Sequence, residues 1–255
     1  MVRPLPEGID WITGASSGIG RALALRMARA GRRVAVSARG EAALEALAAV
    51  AAALPGAILP LPLDVTDAGA CRAAVARIER EQGPLAVAVF CAGTHRPTPA
   101  GSLAVEDVRA LAEVNLLGTV NCLVPVVAAM RPRRSGRLAV VASLTAKRGL
   151  PTAAAYGMTK AGLVNLCEAL RPELQAEGIV LQVVNPGFVK TPLTDRNDFP
   201  MPFLMPVERA AEAVWRGLRS RRFEIAFPWQ MALATGLLRR LPNRVALALT
   251  RRMVR

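Results

Sequence analysis

The chain has one tyrosine, Tyr156, and one histidine, His95, in 255 residues. There are no paired histidines and no C-x-x-C among Cys71, Cys91, Cys122 and Cys167, so neither a zinc site nor a disulfide framework follows. The four cysteines read as reduced, mostly buried thiols of a cytoplasmic protein, and no metal is expected. Lysine is scarce too: Lys147, Lys160 and Lys190 are the only three among 33 basic residues. The formal charge of +14 is therefore almost all arginine, which reads as a compositional bias rather than a selected polycation. Ten of those arginines stand against one acid, Glu224, in the last 40 residues. Interleaved aromatics and any recognition motif are missing there, which argues against nucleic acid. A solvated basic tail and a membrane-surface patch both stay open. No uncharged apolar run approaches the ~18 residues that span a bilayer. Met1–Gly8 is short and proline-broken, so no signal peptide is expected, and the protein reads as soluble or at most peripheral.

What is plentiful is apolar material. At 53% hydrophobic the chain can build a sizeable core, and disorder is not expected. Strand-length apolar runs at Ile9–Thr13, Arg33–Ser37, Ile58–Leu63, Leu85–Phe90, Arg137–Ser143 and Ile179–Asn185 alternate with helical patterns. The helices are expected over Gly18–Ala30, Glu41–Leu54, Asp67–Gln82, Val105–Met130 and about Thr152–Glu177. Such alternation predicts an α/β fold, a doubly wound parallel sheet with helices on both faces. No repeat or linker interrupts it, so residues 1–255 read as one domain. The stretch 188–222 reads as an insert, carrying Phe188, Phe199, Phe203 and several methionines. It fits a mobile wall over a pocket or a plain packing loop. The tail, 229–255, reads as two short helices broken at Pro242-Asn243. Leu233, Leu237, Leu238 and Leu241 lie on one face of the first, beside Arg239 and Arg240, which fits a lid or subunit-contact helix or, as the sharper alternative, a peripheral membrane anchor.

Between the first strand and the first helix lies Thr13-Gly14-Ala15-Ser16-Ser17-Gly18-Ile19-Gly20. Glycines there let the backbone turn tightly and let a pyrophosphate approach the helix N-terminus, whose unpaired N–H groups favour anions. The spacing is G-x-x-x-G-x-G, and further matches follow in order: Asp64-Val65, Cys91-Ala92-Gly93, Asn115, Ser143, Tyr156, Lys160 and Pro186-Gly187. Together these resemble the short-chain dehydrogenase/reductase family over roughly residues 9 to 191. The resemblance implies a Rossmann-type sheet of about seven strands and a nicotinamide dinucleotide as cofactor. By the same resemblance, Gly14, Ser16, Ser17, Gly18, Ile19 and Gly20 hold the phosphates, and Asp64 and Val65 meet the adenine. Cys91, Ala92, Gly93, Pro186, Gly187, Val189 and Thr191 also line the cofactor. Asn115 anchors a water that links Lys160 to solvent, and Lys160 holds the nicotinamide ribose. Family members commonly pair through two long helices, so a homodimer or homotetramer is implied. Cys91 departs from the family's asparagine, losing an amide that helps tie the central strands.

Tyr156 and Lys160 are four residues apart and share a helix face. A phenol titrates near ~10, and the ammonium together with an oxidised nicotinamide is expected to lower it. Bringing it toward neutrality requires on the order of 3–4 kcal/mol. Ser143, thirteen residues upstream at a strand's carboxyl end, can stabilise charge developing on a substrate oxygen. His95 is not needed as a base and is left out of the site. After the second strand the chain has Ser37-Ala38-Arg39 where NAD-preferring sites place an acid. A hydroxyl and an arginine suit a 2′-phosphate, so NADP is expected over NAD, with NADPH-driven reduction as the direction. The alternative is that Arg39 is a solvated residue before the helix. Phe188, Leu193, Phe199, Met201, Phe203, Leu204 and Met205, interrupted only by Asp195, Arg196, Asn197 and Asp198, favour a lipophilic ketone, aldehyde or alcohol. Two other readings stay in play: a nucleotide-binding sensor or scaffold without catalysis, and a membrane-peripheral protein acting through its tail.

Overall fold

In the computed structural model, which describes residues 4–196 and 199–253, the apolar runs pair into one parallel sheet. Its strands are β1 (Ile9–Thr13), β2 (Arg33–Ser37), β3 (Ala57–Pro60), β4 (Leu85–Phe90), β5 (Gly136–Val141), β6 (Ile179–Pro186) and β7 (Glu224–Phe227). Their order is β3-β2-β1-β4-β5-β6-β7. The helices are α1 (Gly18–Arg29), α2 (Glu41–Ala51), α3 (Ala68–Gln82), α4 (Val105–Ala112), α5 (Gly118–Met130), α6 (Ala154–Ala176) and α7 (Val207–Leu218). Helices α8 (Trp229–Arg240) and α9 (Asn243–Arg251) follow the last strand. One face of the sheet is covered by α1, α2 and α7, around Leu23, Met27, Leu44, Val214 and Leu218. The other is covered by α3, α5 and α6, around Trp11, Cys71, Cys122, Met130 and Leu163. Strands β1, β4 and β5 are buried at every position, as strands sandwiched between helix layers must be. The strand order reverses between β1 and β4, and a crevice opens outside their carboxyl ends.

Several boundaries differ from the sequence reading for identifiable reasons. Regular strand β3 stops at Pro60 rather than Leu63, although Leu61 and Leu63 still donate to Val36 and Ala38. Pro60 and Pro62 alternate with these donors, so their missing N–H groups face the open edge of the sheet and cost no bond to β2. Strand β5 ends at Val141, and Ser143 already begins a short 3-10 turn, Leu144–Lys147. The long helix expected over Val105–Met130 is split by a π-helical turn at Glu113–Leu117, which contains Asn115. By length and composition Val105–Arg133 could cross a bilayer. Here it forms a layer of the sandwich, against α3, β4 and α6.

The stretch 188–222 is only partly an insert. Its second half is α7, whose Ala210, Ala211, Val214, Trp215 and Leu218 are buried against α1. Arg26 of α1 fastens the pair, bonding Glu212 at 2.6 Å and stacking on Trp215. The loop proper is therefore 188–206, and Asn197 and Asp198 lie outside the described residues. Strand β7 carries little signal in the sequence, being four residues of alternating burial between an arginine-rich turn and Pro228.

Candidate active site

The turn from β1 into α1 needs its glycines. Gly14 has φ +68°, and a Cβ there would stand 2.6 Å from the backbone of Ala92. A Cβ on Gly20 would stand 2.4 Å from the Gly14 carbonyl oxygen. The side chain of Ser17, the α1 N-cap, does not bond the helix start. An uncapped helix start at the mouth of a crevice is an anion site, and this cradle fits a pyrophosphate. The strand tie that Cys91 was expected to forfeit is made by Thr13, whose Oγ1 accepts from the Cys91 and Ala92 amides at 3.2 and 3.3 Å. Burial pushes the Cys91 thiol up to about 11, opposed by the Lys160 charge and the Gly20 amide.

On the other wall stand Ser143, Tyr156 and Lys160. Ser143 Oγ accepts from the Thr145 amide at 3.2 Å and hydrogen-bonds Tyr156. Its backbone N–H donates to Asn185 Oδ1 at 3.1 Å. Tyr156 and Lys160 lie one turn apart near the start of α6, as their spacing predicts. Lys160 Nζ donates to the Val141 carbonyl at 2.9 Å and lies 5.7 Å from the centre of the Tyr156 ring. Burial pushes the phenol up to about 12, only partly offset by the Ser143 bond. The same burial brings Lys160 down to about 8. In the protein by itself the phenol therefore stands above ~10, and the expected lowering is left to the charge of an oxidised nicotinamide beside it. Desolvation is the largest cause, and Cys91 adds to it; the Lys160 ammonium lies over the ring and donates to Val141.

Asn115 Oδ1 accepts from the Thr94 amide at 2.7 Å, while its Nδ2 donates to the Thr94 carbonyl at 2.9 Å and to Thr159 Oγ1 at 3.3 Å. Its carbonyl accepts from the Thr119 hydroxyl at 2.9 Å. A π-turn frequently marks a functional position; here it aims Asn115 at the loop after Gly93. That loop is held again at Thr98, which donates to the Thr152 carbonyl at 2.7 Å and accepts from the Ala155 amide at 3.1 Å. Between the two clamps sits His95, its ring 4.8 Å from that of Tyr156 and edge-on at 74°. Sequence reasoning set His95 aside. Its place two residues beyond Gly93, on the sheet's carboxyl edge, was the signal available.

A cleft of about 230 Å³ runs between the walls. Of the residues named from the sequence, Gly14, Ser16, Ser17, Gly18, Ile19, Cys91, Gly93, Ser143, Tyr156, Lys160, Pro186, Gly187, Val189 and Thr191 line it. Gly20, Ala92 and Asn115 lie behind its wall, Asn115 fully buried. Arg39, Asp64 and Val65 lie farther along the same edge, past β2 and β3. The Thr66 amide and hydroxyl hold the Asp64 carboxyl below its ordinary value, and the Arg39 charge adds to the effect. Ser37 is not available to a ligand: it is buried and accepts from the Trp11 indole at 2.9 Å. Of the expected apolar wall, Leu193 lines the cleft and Phe188 stacks edge-on against Phe199. Phe203 and Leu204 are exposed, and Met205 pairs with Val189.

The family model for short chain dehydrogenase matches residues 10–199. The chain belongs to the short-chain dehydrogenase family. An uncharacterized oxidoreductase of Myxococcus xanthus is 40% identical over 95% of this chain and 96% of its own. A 3-oxoacyl-(acyl-carrier-protein) reductase of Thermotoga maritima is 34% identical over 72% of this chain and 75% of its own. Among solved structures, an actinorhodin polyketide ketoreductase variant with NADPH superposes with a TM-score of 0.78 at 28% identity, covering 86% of this chain and 94% of that one. The chain is thus an NAD(P)-dependent oxidoreductase of a family acting on small molecules.

Proposed function

We propose that this short-chain dehydrogenase reduces a lipophilic ketone or aldehyde with NADPH, Tyr156 delivering the proton. The observation that carries the reading is the convergence of Ser143, Tyr156 and Lys160 on the cleft that opens at the uncapped start of α1. When bound, the nicotinamide supplies the hydride and, once oxidised, a positive charge beside the phenol. In reduction the carbonyl carbon gains a C–H bond, its π pair moves to oxygen, and that oxygen takes the Tyr156 proton. Ser143 binds the same oxygen and stabilises its growing charge. Lys160 holds the nicotinamide ribose and, with Asn115 behind it, a route for reprotonating the phenol. A phenol at about 12 is protonated over the whole neutral range and so holds the proton that reduction consumes.

Arg39 and the missing acid after β2 support NADP over NAD, as does the NADPH in the polyketide ketoreductase relative. Ser37 contributes nothing to that preference. The lipophilic substrate class is supported by Leu193 and the Phe188–Phe199 pair, and by ketone-reducing names among the relatives. The test is a panel of ketones and aldehydes graded by chain length, run with NADPH and with NADH. Rates that rise with chain length under NADPH are expected. A preference for NADH would overturn the Arg39 argument, and no turnover by protein that binds NADPH would leave the sensor reading standing.

A second role fits the tail. Trp229, Leu233 and Leu237 form an exposed stripe along α8, Leu247 and Leu249 of α9 are exposed as well, and no acid follows Glu224 in the sequence. An apolar stripe with an arginine rim suits an anionic lipid surface. Self-association there would set like charges together. Exposed Val105, Leu117 and Val124 on the α4–α5 rod are the better candidates for pairing copies into a homodimer or homotetramer.

A further inference from the structure

Ser143 can meet a substrate oxygen only if its backbone is held, and the hold comes from outside the residues the motifs name. Asn185 near the end of β6 is 3% exposed, and its Oδ1 accepts the Ser143 N–H. Its Nδ2 donates to Glu224 Oε1 at 2.8 Å. The same carboxylate oxygen takes Lys147 Nζ at 2.9 Å. Lys147 closes the 3-10 turn that Ser143 opens, so the chain of contacts returns to the segment it started from.

The neighbours dictate the amide's orientation. A backbone N–H can only donate, and a carboxylate only accepts, so Oδ1 must face Ser143 and Nδ2 must face Glu224. Aspartate at 185 could accept from Ser143 but would meet Glu224 as a second anion; serine would be too short for both. The register supplies the reach. Val183 pairs with Glu224 and Asn185 with Ala226, so Asn185 and Glu224 are diagonal neighbours on adjacent strands. Burial pushes the Glu224 carboxyl up, but Lys147 and Asn185, helped by the charge of Arg239 on α8, outweigh it and hold it below its ordinary value. The acceptor therefore stays ionised.

We propose that Asn185 is a positioning residue, through which Lys147 and Glu224 set the backbone of Ser143 and so the place of its hydroxyl against Tyr156 and the substrate oxygen. The proposal rests on the reading of Ser143 as the group that binds that oxygen.

Two readouts test it, one of them independent of turnover. Amide hydrogen exchange at Ser143 is expected to quicken roughly tenfold or more in Asn185→Ala, which removes the acceptor. The same variant is expected to lose roughly tenfold or more in kcat, since small misplacements at a reacting centre are costly, with NADPH affinity unchanged. Asn185→Asp keeps the acceptor for Ser143 but opposes two carboxylates, and kcat falls again. Adding Glu224→Gln restores a donor opposite the new acid, so N185D/E224Q is expected to recover most of that loss. Wild-type kcat or a still-protected Ser143 amide in Asn185→Ala would overturn the proposal, as would a double variant no better than Asn185→Asp. If the wild-type enzyme reduces no carbonyl, the proposed function fails; the exchange at Ser143 still decides whether Asn185 holds it.

Discussion

Tyr156 and Lys160 share one burial with opposite consequences. The phenol is held protonated, up at about 12, while the ammonium is brought down to about 8. For Lys160 the folded value lies below that of a free lysine, so its charge is present below about 8 and lost as pH rises through it. We expect kcat/KM for NADPH, which reports the free enzyme, to fall above about pH 8; a flat profile across that range would contradict it. The same depression means the charged form burdens the folded state at neutral pH and is relieved as pH rises. Lys160→Met should therefore melt a few degrees higher at pH 7 while losing turnover. Tyr156→Phe should lose about 10²–10⁴ in kcat and still bind NADPH. His95 acts on the same ring by contact. An edge-to-face aromatic pair is worth about 0.5–1.5 kcal/mol, and both ends of its loop are clamped. His95→Ala is expected to lower kcat several-fold without changing NADPH affinity, and His95→Phe to restore it. Equal losses in both would point to the imidazole nitrogens instead.

At the scale of elements, what keeps the crevice in shape is the fit of β1 between its neighbours. Asp10 in β1 is fully buried and takes two hydrogen bonds from Arg32, at 2.7 and 2.5 Å, just before β2. Burial pushes its carboxyl up to about 6, against the pull of Arg32. Removing the arginine leaves a buried acid without its partner, which typically costs about 3–5 kcal/mol. Arg32→Ala should show that loss in urea unfolding at pH 7, and a smaller one below the Asp10 value, where the acid is neutral. No change at pH 7 would mean the pair is inert. The π-turn in the α4–α5 rod is a second such device, since it gives Asn115 its aim at Thr94.

For the whole molecule, the tail is joined to the site rather than appended to it. Helix α8 lies against the 3-10 turn after Ser143, and a Cβ on Gly187 would stand 2.5 Å from the Met231 sulfur. Deleting residues 229–255 would disturb the cleft, so a lipid test needs point substitutions. Trp229→Ser, Leu233→Ser and Leu237→Ser together should abolish sedimentation with anionic vesicles and leave NADPH turnover intact. Sedimentation that survives them, or the absence of any with the wild-type chain, would dismiss the membrane role. If the same variant instead shifts the oligomeric state in light scattering, the stripe is a subunit contact.

Alternating apolar runs and the glycine spacing sufficed for the doubly wound sheet, and the order of Asn115, Ser143, Tyr156 and Lys160 sufficed for the family. Those features are local: strand and helix periods, and tight turns that only glycine permits, are written in neighbouring residues. Contacts between distant segments were not legible. Nothing near Ser37 in the chain says that Trp11 uses its hydroxyl, and nothing near His95 says that it faces Tyr156. Nor does any spacing join Asn185 to Ser143 and Glu224, which meet only because β5, β6 and β7 lie side by side. The proton affinities followed the same division. The sequence determined which groups are present; burial, a property of the packed molecule alone, decided that the phenol rises and the ammonium falls.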